Sequence, residues 1–208
     1  MIKNVIFDWS GVINDDLAAV HNAAMIIFKK FGAKRISLKE FKKEWEQPYM
    51  LFYNKYLPQL TKEEEDAAFW VAYKKAIKAY PLRPYSHIKN ALQKFKGVGI
   101  NMIILSSNPY GYLLSEIKKF GLQGLFNEVN GEVHDKTKVI RKIIKRNQFN
   151  PRETIFIGDT NHEIDAGKSA KIKTAAVTWG YQNEDKLKSL NPDFIIHNLK
   201  ELEKAILG

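Results

Sequence analysis

A few side chains in this 208-residue chain stand where chemistry could be done. Asp8 ends one apolar run, and Ser106, Ser107 and Asn108 end another. Gly158 and Asp159 end a third, with Glu163 four residues on, and Lys136 opens a basic, helix-patterned segment. Two carboxylates facing one another repel unless a cation lies between them, and hard oxygen ligands select Mg²⁺. With hydroxyls and an ammonium beside a carboxylate nucleophile, such a set suits phosphoryl transfer, where positioning and charge neutralisation supply most of the catalysis.

For these residues to meet, the apolar runs must be strands of one sheet that end on a common edge. In an open parallel sheet, ligands collect outside the carboxyl ends of the strands. Val5 to Phe7 read as a strand buried on both faces. Strands over 101–105, 126–129, 154–157, 174–178 and 194–196 then alternate with helices over 87–96, 112–120, 136–146 and 163–170. That rhythm predicts an α/β fold, a doubly wound, Rossmann-like parallel sheet covered by helices.

After the first strand the rhythm breaks. Leu17, His21, Ala24, Phe28 and Phe31 recur at helical spacing, with Asp15 and Asp16 as capping candidates and Gly32 as a stop. Helical patterning continues to Tyr80 through two aromatic-rich stretches, the second preceded by the capping-box pattern Thr61 to Glu64. Pro81 and Pro84 punctuate the exit. The expectation is an all-helical cap over residues 15–84, inserted into a core formed by 1–14 and 85–208. Trp45, Tyr49, Phe52 and Tyr53 are expected mainly to pack this cap.

The ordered set resembles the haloacid dehalogenase superfamily, most of whose members are Mg²⁺-dependent phosphatases with an aspartyl-phosphate intermediate. The first motif is Val5 Ile6 Phe7 Asp8 Trp9 Ser10 Gly11 Val12 Ile13 Asn14 Asp15, the second Met102 to Pro109, the third Lys136 with Lys138 as alternate, and the fourth Ile155 to Asp165. Each is short, but four in order form a specific pattern. The resemblance implies Asp8 as nucleophile, Ser106 and Lys136 as holders of the phosphoryl oxygens, and Ser107 and Asn108 as further contacts to that anion. It also implies a metal site of Asp8, the Ser10 carbonyl, Asp159 and Glu163. The implied enzyme is a hydrolase, phosphoglycolate-phosphatase-like with a C1-type helical cap, acting on a small phosphorylated metabolite.

Two positions depart from the pattern. Ser10 stands where the family has a second aspartate, whose backbone carbonyl any residue can replace but whose acid/base carboxyl a serine cannot. His21, on the stripe of the first cap helix, is a possible substitute, although packing is the commoner role of such a histidine. Glu163 stands where aspartate is common and keeps the charge with one more methylene; Asp165 competes for the role. A small residue at position 10 also resembles the phosphonoacetaldehyde hydrolase branch, where a cap lysine forms a Schiff base. The cap offers Lys42, Lys43, Lys55, Lys74 and Lys75, none in a matching motif. A third possibility is a low-activity regulatory module that binds phosphate and metal.

Composition narrows the remaining classes. The charge of +10 is spread along the chain, and the cations Lys136 to Arg146 interleave with Val139, Ile140, Ile143 and Ile144 at helical spacing, as on a solvated helix face. No nucleic-acid partner is expected. The longest apolar runs are too short to span a bilayer, the start lacks a signal-peptide pattern, and the absence of cysteine suits a reducing cytoplasm. There is no Gly-x-Ser-x-Gly elbow, Walker A loop or His-Glu-x-x-His, and His162 lacks the partners of a zinc ligand, so a surface position is expected for it. Oligomeric state leaves no trace in the sequence.

Overall fold

The computed structural model describes all residues, Met1–Gly208. Six strands, β1 (Asn4–Phe7), β2 (Asn101–Leu105), β3 (Glu128–Asn130), β4 (Thr154–Gly158), β5 (Lys173–Val177) and β6 (Phe194–Ile196), form one sheet in the order β3-β2-β1-β4-β5-β6. All five pairings are parallel. The chain order reverses between β1 and β4, the switch point at which a doubly wound sheet opens a crevice.

Alternation along the strands sends side chains to two opposite cores. Val5, Phe7, Met102, Ile104, Ile155 and Ile157 pack against α5 (Ile88–Gly97), α6 (Tyr110–Lys119) and α10 (Leu199–Leu207) through Leu92, Phe95, Leu113, Ile117, Leu202 and Ile206. Ile6, Ile103, Leu105 and Phe156 meet Ile140 and Ile143 of α7 (Lys136–Asn147) and Ala166 of α8 (Asn161–Ser169). The short α9 (Glu184–Ser189) covers Ile164 and Ala176 with Leu187.

Between β1 and α5 lie α1 (Leu17–Phe31), α2 (Leu38–Glu44), α3 (Met50–Tyr56) and α4 (Lys62–Ala79), which share a separate apolar cluster centred on Phe28, Phe41 and Phe52. Gly32 ends α1 in the left-handed region at φ 83°. Thr61 and Glu64 form the expected capping box of α4. The 45–49 stretch expected to be helical is instead a connection between α2 and α3. Asp16 is the N-cap residue of α1, but its side chain makes no capping bond; it is drawn to other partners described below. The strand expected over 126–129 lies slightly later, at Glu128–Asn130, because Ser106 N bonds the Asn130 carbonyl and extends that pairing. The helices α9 and α10 fall outside the sequence expectation.

Candidate active site

Strand register sets the geometry. Phe7 lies opposite Ile104 on one side and Ile157 on the other, so Asp8, Ser106 and Asp159 each follow the end of a neighbouring strand. All three are buried. Lys136 begins α7, whose N-cap Asp135 accepts from Lys138 N. This helix start aims the Lys136 ammonium at Asp8 Oδ1 (2.9 Å) and at Glu163 Oε1 (2.6 Å). Lys138 is exposed and points away, and Asp165 is exposed as well.

Glu163 fills two positions at once. Its Oε2 accepts from Thr160 N (3.1 Å) and from the Thr160 hydroxyl (2.5 Å), completing the capping box of α8, while Oε1 takes Lys136. Asp159 is braced from the loop after β5, where Tyr181 N donates to Oδ2 at 2.6 Å. Its Oδ1 is buried without any partner. Oxygens of Asp8, Asp159 and Glu163 lie within 4.8 Å of one another. An orphaned carboxylate oxygen beside two more carboxylates is the donor set of a hard divalent cation, so these residues fit Mg²⁺.

The electrostatics follow from burial. Desolvation lifts Asp8 to about 6, with Lys136 pulling the other way and Glu163 adding to the rise. Asp159 is pushed well up by burial and then by the charges of Glu163 and Asp8. Burial by itself would lower the Lys136 ammonium, but Asp8 and Glu163 hold it above the ordinary lysine value. Burial likewise opposes ionisation of Glu163, yet Lys136 and His162 keep it below its usual range. The cluster is thus rich in negative charge and holds a single ammonium.

Two glycines let Asp159 sit where it does. Gly11 has φ +73°, and a Cβ on Gly11 or on Gly180 would strike the Asp159 carboxylate. Gly11→Ala should therefore cost on the order of 2 kcal/mol of stability and weaken metal binding together. A thermal melt within one degree of the parent would contradict this.

The second motif supplies donors and acceptors. The Ser106 hydroxyl accepts from Asn108 N at 3.2 Å, and Asn108 Nδ2 donates to Ser10 Oγ at 3.2 Å. Ser107 is exposed but lines the same cavity, which is about 740 Å³ and also includes Asp8, Ser10, Lys136, Asp159 and Glu163. Of the residues singled out on the strand ends, Asp8, Ser106, Ser107, Asn108 and Asp159 thus meet one space, and Gly158 does not line it.

Several residues depart from expectation. His21 is not among the cavity residues: its ring nitrogen bonds the Ile36 carbonyl at 3.0 Å and the ring packs edge-on against Phe41. That is a packing histidine, so it does not replace the missing acid. His162 is half-buried beside Glu163 and lines the cavity instead of lying on the surface. Trp45, Tyr49 and Tyr53 both pack the helical block and line the cavity, whereas Phe52 only packs. Of the lysines named as Schiff-base candidates none lines the cavity; Lys42 bonds the Thr178 carbonyl. The lining lysine of the helical block is Lys62, paired with Asp66 at 2.5 Å and held protonated by it.

Asp16 is the residue that spacing alone did not reveal. It is buried, lines the cavity, and accepts from Tyr181 OH (3.0 Å) and Asn14 Nδ2 (3.3 Å). Burial lifts its carboxyl to about 7, and the Ser10 and Tyr181 hydroxyls draw it only part of the way back.

Comparison with known proteins identifies the family. Residues 5–177 match the sequence profile of the family Haloacid dehalogenase-like hydrolase. The chain is 22% identical to pyrophosphatase PpaX of Oceanobacillus iheyensis, over 97% of this chain and 95% of that protein. It is 24% identical to a phosphoglycolate phosphatase of Haemophilus influenzae over 58% of this chain, a match that spans only 56% of that enzyme's length. A haloacid dehalogenase-like protein of Agrobacterium tumefaciens superposes with a TM-score of 0.80 at 16% identity, covering 99% of this chain and 98% of the other.

Proposed function

The chain belongs to the haloacid dehalogenase-like hydrolases, and from that premise we propose that it is a Mg²⁺-dependent phosphatase of small phosphorylated metabolites, with Asp8 as nucleophile. The observation that carries this reading is the cluster of Asp8, Asp159 and Glu163 around Lys136, with Asp159 Oδ1 left without a partner. Residues 15–84 form the cap and 1–14 with 85–208 the catalytic core. The relatives named for pyrophosphate and phosphoglycolate support phosphate chemistry as a class.

In this reading an Asp8 oxygen attacks phosphorus, the new O–P bond forms as the bond to the leaving alkoxide breaks, and the alkoxide takes a proton. Water then attacks the phosphoaspartate and returns Asp8 as a free carboxylate with inorganic phosphate. A bound Mg²⁺ would screen the repulsion between an anionic nucleophile and an anionic substrate. Asp8, Asp159, Glu163 and the Ser10 carbonyl are the groups to hold it. Lys136 and the Ser106 hydroxyl grip the phosphoryl oxygens, with Ser107 and Asn108 at the edge of the same anion.

The chain lacks a carboxyl at position 10, and Asp16 faces the Ser10 hydroxyl from the start of the cap. Asp16 is therefore the group placed to exchange a proton with the leaving oxygen. Asp16→Asn should lower kcat about 100-fold for alkyl phosphates. The loss should be much smaller for para-nitrophenyl phosphate, whose leaving group needs no proton. Equal losses on the two substrates would remove Asp16 from that role. The proposal as a whole is tested by assaying purified protein against phosphate monoesters with Mg²⁺ and with EDTA. Metal-dependent phosphate release is expected, and release unaffected by EDTA would overturn it.

A further inference from the structure

The cavity lining carries eight carboxyl side chains against two lysines, a strange wall for a site that receives a phosphate dianion. Asp8 and Glu163 share Lys136 and with Asp159 suit a divalent ion, and Asp66 is paired with Lys62. Glu65 and Glu116 are in no ion pair; Lys62 and Lys119 act on them only through space, and burial outweighs both. Both are buried, and their partners are neutral: Glu116 Oε2 accepts from the Trp9 indole (2.5 Å) and from Asn14 Nδ2 (3.4 Å), and Glu65 takes the Tyr53 hydroxyl. Burial pushes Glu65 up to about 7 and raises Glu116 as well.

Aromatic side chains share the cavity with these two acids. Tyr53, Phe69, Trp70, Tyr73 and Tyr112 line the same cavity, and Trp70 of α4 stacks on Tyr112 of α6 at 5.3 Å. Tyr73 lies in the field of Asp16 and Glu116. Carboxylates short of a cation, set among π-faces, form a receptor for an alkylammonium. A neutral polyol would leave the acids in their protonated form, whereas an ammonium favours the carboxylates. An anionic leaving group, such as the glycolate or second phosphate of the relatives' named substrates, would meet like charges in a desolvated space.

We propose that the cavity selects phosphate monoesters whose alcohol carries an ammonium group, held by Glu65 and Glu116 against the aromatic wall. This rests on the phosphatase reading above and names its substrate class.

The test compares kcat/KM for ethanolamine phosphate and choline phosphate with that for glycerol 1-phosphate, which is neutral beyond the phosphate, and for phosphoglycolate, which is anionic there. Para-nitrophenyl phosphate reports separately on whether the protein is a phosphatase. The aminated esters should be preferred over glycerol 1-phosphate by about 30-fold, the size of a desolvated cation–π contact. Glu65→Gln and Glu116→Gln, each isosteric, should collapse that ratio toward one. If para-nitrophenyl phosphate is hydrolysed while glycerol 1-phosphate or phosphoglycolate equals the aminated esters, this inference falls and the phosphatase reading stands. If no ester is hydrolysed, the phosphatase reading falls, and calorimetric titration with choline in the absence of metal decides. Binding that is lost in Glu65→Gln supports the cation site, and no binding to the parent overturns it.

Discussion

Asp8→Asn should abolish turnover, lowering kcat by about four powers of ten or more on every phosphate monoester tested. The amide keeps the shape of the side chain but offers no anionic oxygen for attack on phosphorus. The parent carboxyl, although lifted by burial to about 6, is ionised in most molecules at neutral pH, so it needs no base to activate it. Lys136 Nζ would still have Glu163 Oε1 at 2.6 Å, and the strand that carries position 8 is fixed by pairing on both sides. The loss should therefore be chemical, with a circular-dichroism melt close to that of the parent. Acid-quenched parent should carry a phosphoryl group on the peptide containing Asp8, and the variant should carry none. Turnover within tenfold of the parent, or a phosphoenzyme that survives the substitution, would show that the phosphoryl group passes elsewhere.

What the sequence revealed follows from locality. The strand ends were legible because Val5–Phe7, Met102–Leu105 and Ile155–Ile157 are continuous apolar runs, and a parallel sheet leaves one edge for the residues that follow them. The order of Asp8, Ser106, Lys136 and Asp159 along the chain needed no coordinates. The expectation for the last stretch was incomplete. Asn198 caps α10, accepting from Glu201 N, and Leu199, Leu202 and Ile206 follow at helical spacing, so the sequence does carry a local signal for this helix. The six residues of α9 offer too little periodicity to be seen.

The hidden part is tertiary. Asp16 read as a helix cap because it precedes an apolar stripe, yet Tyr181, which lies 165 residues away, takes its carboxylate. The brace on Asp159 comes from that same loop, with Gly180 leaving room for it. Glu65 sits in the run Glu63 Glu64 Glu65 Asp66, where spacing suggests a solvated first turn, but packing buries it beside Tyr53. Burial of an acid is decided by which segments meet above it, and no local pattern records that. Hence the charges at the strand ends could be read along the chain, and the acids that line the opposite wall could not.

Lys136→Met should produce a protein whose stability depends on Mg²⁺. Lys136 is 3% exposed, and it lies 2.9 Å from Asp8 and 2.6 Å from Glu163. Methionine retains much of the aliphatic stem that packs near Phe156, where the ammonium sits 5.8 Å from the ring centroid, so the change is chiefly electrostatic. Without the ammonium, Asp8, Asp159 and Glu163 crowd together with no cation among them. Removing one partner of a buried ion pair costs roughly 3–5 kcal/mol, because the remaining charges stay desolvated. For a chain of this length that lowers Tm by about 10 °C, measured in EDTA. The same three carboxylates are the proposed site for the divalent ion, whose two positive charges would replace the lost one with some to spare. Added Mg²⁺ should then raise Tm by more in the variant than in the parent, in which Lys136 already neutralises part of the cluster, while kcat stays low because nothing grips the phosphoryl oxygens from that side. A variant that melts within about 2 °C of the parent in EDTA would show that Lys136 does not hold the acids together. One that is destabilised but indifferent to Mg²⁺ would show that the cluster does not bind the ion.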